Sequence, residues 1–478
     1  MKMRAMGRVL LSGAALLAFI GGAHAADLAT SIATKMPVKA PPVPAPVYDW
    51  GGFYLGAYYG ASLSQSNAST PVPVMSQSAP GSVDLNSSSS TAGITAGYNL
   101  QLSPQWLVGV EGDFGYLGGG QLFADWDDRI DAGEKNSWYA TLRGRAGYVT
   151  GPSLIYITGG VGFVHVTDTF GGFFNPPGPS VSAVSSSTTT SGGVVGAGIE
   201  TKLSRNWSAK TEYLYIDGGS DHAFLSNPFG PPTDVPTTVS HSFQVIKTGL
   251  NYRFDGNADG LPFFNGQMLA SNHNWNGFYA GANAGIGASL THIDSLANRG
   301  PLQAPGAENV NGNGFAGGGQ AGYNYLLWQK YLVGVEGDFG ALTINHAVSD
   351  WDDSTPPLDQ VAFSEKTSWY GTLRGRIGTT TGPALLYLTG GAAWVRLQDG
   401  VIPSAAVPGG LSSKTGTGWT WGGGTEVALD AHWSAKLESL YVDSGSSIHG
   451  TFAPVATFPV DFKERFVIVR FGLNYAFN

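Results

Sequence analysis

Val108-Gly109-Val110-Glu111-Gly112-Asp113-Phe114-Gly115 returns unchanged as Val333-Gly334-Val335-Glu336-Gly337-Asp338-Phe339-Gly340. Read with a period of two, Val108, Val110 and Phe114 share one face, and Gly109, Glu111, Asp113 and Gly115 share the other. That alternation belongs to a β-strand. A strand with one apolar and one charged face separates two unlike media. If the apolar face meets lipid, the charges must point the other way, because a charge at the lipid midplane costs about 2–4 kcal/mol.

Working outward, the same pattern predicts eight strands, near 52–63, 92–102, 106–117, 137–149, 154–166, 194–203, 206–217 and 243–254. Each reaches the ~9–11 residues that cross a membrane at a tilt. Short turns are expected at Ser103-Pro104-Gln105, Thr150-Gly151-Pro152-Ser153 and Ser204-Arg205-Asn206, and long loops at 64–91, 118–136, 167–193 and 218–242. Short turns at one end and long loops at the other are the habit of transmembrane barrels. The predicted fold is therefore all-β, a transmembrane antiparallel up-and-down β-barrel.

The whole set occurs twice. Asp49-Trp50-Gly51-Gly52-Phe53-Tyr54 returns as Asn274-Trp275-Asn276-Gly277-Phe278-Tyr279, and the runs SWYATLRGRAG from Ser137 and SWYGTLRGRIG from Ser368 correspond. Trp207-Ser208-Ala209-Lys210 matches Trp433-Ser434-Ala435-Lys436, and Gly249-Leu250-Asn251-Tyr252 matches Gly472-Leu473-Asn474-Tyr475. The order is kept throughout, which marks a duplication rather than a short solenoid repeat. We divide the chain into a signal peptide (1–25), a Pro-rich periplasmic spacer (26–48), barrel unit 1 (49–254), a linker (255–273) and barrel unit 2 (274–478). Two tandem eight-stranded barrels are the favoured arrangement; one sixteen-stranded barrel is the alternative.

The N-terminus has Lys2, Arg4 and Arg8 before an apolar run from Val9 to Ile20, then Ala23-His24-Ala25. This is the form of a secretory signal cleaved after Ala25, and the run is shorter than the ~20 residues of a membrane helix. Pro37, Pro41, Pro42, Pro44 and Pro46 follow, which favour an extended spacer. Composition agrees with a barrel: 70 glycines, 12% aromatic residues and 12% charged residues, against about 25% charged in soluble domains. The chain has no cysteine, which excludes disulfides and thiolate metal sites. A net charge of −9 offers no basic footprint for nucleic acid.

The inward faces carry charges that nearly cancel. In unit 1 it comprises Glu111, Asp113, Arg143, Arg145, Glu200, Lys202, Lys210 and Glu212; in unit 2, Glu336, Asp338, Arg374, Arg376, Glu426, Lys436 and Glu438. The interior of an eight-stranded barrel is just wide enough for side chains to fill. Paired charges would plug it; an ion pathway is the alternative. Trp50, Phe53, Tyr54, Trp106, Trp138, Tyr148, Trp207, Tyr215, Tyr252 and Phe254 lie near strand ends, where interfacial girdles are expected. The repeated DWDD at Asp125–Asp128 and Asp350–Asp353 falls in a predicted loop, as do His222, His241, His292, His346 and His449 or their neighbours. No defined metal site is predicted, and no Ser, His and acid recur together in both units, so no enzyme is expected.

The closing stretch, with Arg470, Gly472, Tyr475 and Phe477, resembles the C-terminal signal by which the outer-membrane assembly machinery recognises its clients, with Asn478 overhanging; Lys247, Gly249, Tyr252 and Phe254 carry the same pattern. The leader followed by W-x-G-F-Y, the VGVEGDFG strand, the SWY-x-TLRGR strand and the closing GLNY-x-F together resemble the alphaproteobacterial outer-membrane immunogenic proteins, among the opacity-like small porins. That resemblance implies a structural, surface-exposed envelope protein in the bacterial outer membrane, reached after export through the inner membrane. Its expected partners are outer-membrane lipid, lipopolysaccharide and the barrel assembly machinery. Family members are typically single barrels, so the duplication departs from the pattern. A passive channel for small solutes is the second expectation. Hemin or ligand binding by the loops is the third, because some relatives bind hemin; no cofactor is assigned to particular residues.

Overall fold

Alternation of apolar and polar residues, with Val, Ile, Tyr and Thr favouring the pleated surface, builds strands almost throughout. The structure is a computed structural model. It describes residues 48–69, 82–124, 130–172, 181–226, 234–254, 273–295, 307–349, 362–402, 410–450 and 459–477. The predicted signal peptide with Ala23 and Ala25, nearly all of the spacer, both DWDD motifs and most of the linker lie outside these residues.

The first barrel comprises β1 (Gly52–Ser69), β2 (Ser82–Gln101), β3 (Trp106–Leu117), β4 (Gly120–Ala124), β5 (Ile130–Thr150), β6 (Ser153–Gly172), β7 (Val181–Lys202), β8 (Trp207–Ser226) and β9 (Asp234–Arg253). β4 prolongs β3 past Gly118 and Gly119, and both pair with β5, so nine strands make eight staves. Each stave is antiparallel to the next, and β1 closes the ring by pairing with both β2 and β9.

The second barrel comprises β10 (Gly277–Ser289), β11 (Thr291–Ser295), β12 (Ala307–Val310), β13 (Asn313–Leu327), β14 (Tyr331–Thr343), β15 (Asn345–Ser349), β16 (Ala362–Thr380), β17 (Ala384–Ile402), β18 (Gly410–Ala428), β19 (Trp433–Gly450) and β20 (Pro459–Ala476). Three of its staves are interrupted: β10 continues as β11, β12 leads into β13, and β14 continues as β15. β10 closes this ring against β13 and β20. Each ring is complete by itself, which sets aside one sixteen-stranded barrel.

The strands overrun the predicted boundaries at the loop end. β2 starts at Ser82, β6 runs to Gly172, β7 starts at Val181, β8 runs to Ser226 and β9 starts at Asp234. Much of the stretches expected to be loops is therefore wall. Ser- and Thr-rich sequence supports this because its hydroxyls pair across strands: Thr167 with Ser187 at 3.1 Å, Thr169 with Ser185 at 3.0 Å and Ser220 with Ser240 at 2.9 Å. Exposed apolar residues such as Ile94, Phe114, Leu142, Ile157 and Val195 band the outer wall nearer the short-turn end. Beyond that band the outward positions turn to hydroxyls, so the walls rise past the lipid-facing zone.

The two barrels touch through their outer walls. Thr211 meets Thr425 at 2.7 Å, and the Gln244 amide donates to the Asn313 carbonyl oxygen at 2.9 Å. Ile199 and Tyr213 of the first barrel bury against Ala384, Val427, Ala435 and Leu437 of the second. Ile199 alternates with the inward Glu200 and so belongs to the outer face; the neighbouring barrel covers it there.

Candidate functional site

Strand register alone brings opposite charges face to face inside the first barrel. Glu111 on β3 lies opposite Arg143 on β5, Glu200 on β7 opposite Lys210 on β8, and Glu212 on β8 opposite Lys247 on β9. All six are buried. Arg143 crosses the lumen. Its Nη2 donates to Glu111 at 2.7 Å and to Asp113 at 2.5 Å, and its Nη1 to Glu212 at 3.0 Å. Arg145 reaches Glu200 at 3.1 Å and Glu111 at 3.4 Å. Lys210 binds Glu111 at 2.8 Å, and Lys247 binds Asp113 at 2.6 Å and Glu212 at 3.1 Å. Four carboxylates therefore face four cations. Deep burial of such charges is tolerable only because each is paired and hydrogen-bonded.

Tyrosines complete the filling. Tyr54 donates its hydroxyl to Glu111 at 2.5 Å and Tyr156 to Glu212 at 2.9 Å. Their rings flank the Arg145 guanidinium at 4.9 and 5.0 Å, in cation–π range. Gly97 and Gly198 supply the room, since a Cβ at either would run into the Tyr54 or Tyr156 ring.

The second barrel repeats the arrangement. Arg374 reaches Glu336 at 2.5 Å, Asp338 at 2.8 Å and Glu438 at 3.0 Å. Arg376 reaches Glu426 at 3.3 Å, and Lys436 reaches Glu336 at 2.9 Å. Arg470 binds Glu438 at 2.6 Å and Asp338 at 2.9 Å. One exchange is compensated in volume. Tyr58 and Lys247 of the first barrel, in cation–π contact at 4.3 Å, correspond to Asn283 and the longer Arg470, which donates to Tyr370 at 2.7 Å.

Sequence reasoning missed Lys247 as a lumenal cation and put Arg470 only in the assembly signal. Both lie on the inward face, two residues before a glycine of the same parity, so alternation along β9 and β20 would have found them. Two aromatics assigned to the girdle are lumenal instead: Tyr54 is buried on Glu111, and Trp50 is buried beneath the Lys202 ammonium at 5.0 Å. Lys202 sits at that mouth and donates to the Arg205 carbonyl at 3.4 Å. Phe53, Trp106, Tyr148 and Phe254 are exposed at the short-turn rim. Of the closing residues, Arg470 is buried in the lumen, Gly472 lies on the same face, and Tyr475 packs on Trp433 and Phe477.

A second charged level lies at the loop end, beyond the apolar band. His241 was expected in or beside a loop; it lies in β9 and points into the first lumen. Its Nδ1 meets Glu134 at 3.1 Å and Ser66 at 3.0 Å, and its Nε2 faces Asp168 at 3.5 Å and Asp221 at 3.7 Å. Burial by itself would lower the imidazole; the Asp168, Asp221 and Glu134 carboxylates outweigh it and hold it up at about 11. In the second barrel Glu464 takes the place of His241, beside Glu365 and Asp399. Burial, helped by Glu464, pushes Glu365 up to about 8; burial, helped by Glu365, pushes Asp399 up to about 7. His222 and His292 also lie in strands, and His346 of β15 binds Asp84 of β2, on the other barrel, at 2.9 Å.

The model of the outer membrane protein beta-barrel domain matches this chain twice, over residues 14–254 and 261–477. The chain belongs to that family. It is 35% identical over 208 residues to the 31 kDa outer-membrane immunogenic protein of Brucella melitensis, covering 42% of this chain and 84% of the relative. It is 30% identical over 256 residues to the 25 kDa outer-membrane immunogenic protein of Brucella abortus, covering 53% of this chain and all of the relative. Among solved structures, the outer membrane protein OprG of Pseudomonas aeruginosa is similar over 43% of this chain and 99% of its own, with 15% identity and a TM-score of 0.31. The Brucella relatives are outer-membrane proteins by name, and this chain is a bacterial outer-membrane β-barrel protein. Each relative spans about one of its two barrels.

Proposed function

We propose that the protein is a structural, surface-exposed component of the envelope whose two lumens are closed to solutes. The observation that carries this is the Arg143 side chain, tied to Glu111, Asp113 and Glu212 across the first lumen, with Arg374 tied likewise to Glu336, Asp338 and Glu438. The network is electrically neutral, so it offers no single-sign path to an ion. Space at the short-turn mouths is correspondingly small. The voids beside Trp50 and Tyr54 and beside Trp275 and Tyr279 measure about 10 Å³ each, at most one water. A 1240 Å³ crevice instead opens between the outer walls, beside Tyr213, Trp419 and Trp421.

The tall polar walls would present the surface that the relatives' names associate with immunogenicity. The test is solute flux into liposomes carrying the refolded protein. Swelling no faster than in empty liposomes is expected with a small sugar. Rapid swelling would establish a passive channel and end this reading.

A further inference from the structure

We propose that the loop end of the first barrel binds a divalent metal cation of the zinc class, held by His241, Asp168 and Glu134, with Asp221 alongside. These residues come from four staves, β9, β6, β5 and β8, and His241, Asp168 and Glu134 can each place one donor atom within 4.8 Å of the others. Glu134, Asp168 and His241 are at least nine-tenths buried. The decisive feature is what they leave unmade. Both Asp168 oxygens and His241 Nε2 are buried without a hydrogen bond, and Nε2 faces Asp168 Oδ2 at 3.5 Å, at the outer limit for one. Two ligands placed about 2.1 Å from a tetrahedral ion stand about 3.4 Å apart, a spacing this pair already has.

Charge and chemistry agree. Three carboxylates surround one imidazole, and among the described residues no lysine or arginine forms an ion pair with Glu134 or Asp168. Among the described residues, Glu111, Asp113 and Glu212 also bring donor atoms within 4.8 Å of one another, but they already hold Arg143, Lys210 and Lys247. Nitrogen and carboxylate donors together suit zinc and its neighbours better than calcium or magnesium, which take oxygen alone. A bound ion would pin four staves together where the walls rise clear of the lipid.

The test is equilibrium dialysis of the refolded chain, without a histidine tag, against zinc chloride, with folding of every variant checked by heat-modifiable migration. One saturable zinc is expected per chain. Asp168→Asn, which keeps shape and burial, and His241→Ala are each expected to weaken it at least about tenfold. His165→Ala on the outer wall and Glu365→Gln in the other barrel should leave it unchanged. Cobalt in place of zinc should give visible absorption that His241→Ala alters. Absence of a saturable site, or equal affinity in Asp168→Asn, overturns the proposal.

Discussion

The middle of the two lumens and their loop ends face different physical demands, and the duplication displays the contrast within one chain. At mid-lumen the second copy keeps four carboxylates against four cations, and its Arg-for-Lys exchange at Arg470 is matched by Asn283 in place of Tyr58. At the loop end the same alignment of copies swaps the His241 imidazole for the Glu464 carboxylate. The difference teaches where charge balance is enforced. Deep in the lumen an unpaired charge has no solvent to fall back on, so every change needs a partner change. Above the lipid-facing band a proton or a cation can make up the deficit.

The most severe test is removal of Tyr475 to Asn478, which strips the rim contacts of Tyr475 with Trp433 and Phe477 and the last ladder bonds of β20. Loss of surface display is expected; normal display would show that closure and recognition do not need this end.

Arg143→Ala, which leaves Glu111, Asp113 and Glu212 short of their shared donor, should cost about 3–5 kcal/mol in urea unfolding of the refolded chain. Arg374→Ala should do the same in the second barrel. A midpoint unchanged by both would mean that the lumens are not packed around these guanidiniums. Asp168→Asn in metal-free buffer should cost clearly less, because the loop-end level tolerates imbalance.

Glu365 is held above its unfolded value, so between about pH 4.5 and about pH 8 the folded state keeps a proton that the unfolded state releases, and stability falls as pH rises through that window. His241, also held up, contributes stability that is complete below about pH 6.5 and is lost as pH rises towards about pH 11. In the presence of a chelator, amide exchange in β16 and β17 near Glu365 and Asp399 should accelerate from about pH 5 to about pH 9, while β9 near His241 loses protection at higher pH. Equal profiles at the two loop ends would remove the distinction drawn between them. The smallest effect expected is Thr211→Val, which deletes the hydroxyl contact with Thr425 between the barrels and should cost about 1 kcal/mol by thermal unfolding.

Much of this was legible in the residues. VGVEGDFG and SWY-x-TLRGR fixed which face of β3 and β5 looks inward, because a period of two leaves no freedom once Glu111 and Arg143 are assigned. The short turns at Ser103 and Gly151 were legible for the same reason. What was not legible depends on distance along the chain or on the neighbouring barrel. Polar repeats such as 185–193 read as loop from composition, yet their hydroxyls pair in register with β6. His241, Glu134 and Asp168 lie in three separate staves, and only closure of the ring brings them together. Tyr54 and Trp50 near a strand end looked like rim aromatics, and only the parity of β1 against Glu111 turns Tyr54 inward. Ile199 and Thr211 alternate with the inward Glu200, Lys210 and Glu212 and so face outward, but no pattern within one copy announces that the other copy will cover them.

The most direct measurement is single-channel conductance of the refolded protein in a planar bilayer. Silence, or rare small openings, is expected, because a neutral buried network fills both lumens. Large and steady conductance in the unmodified protein would contradict it.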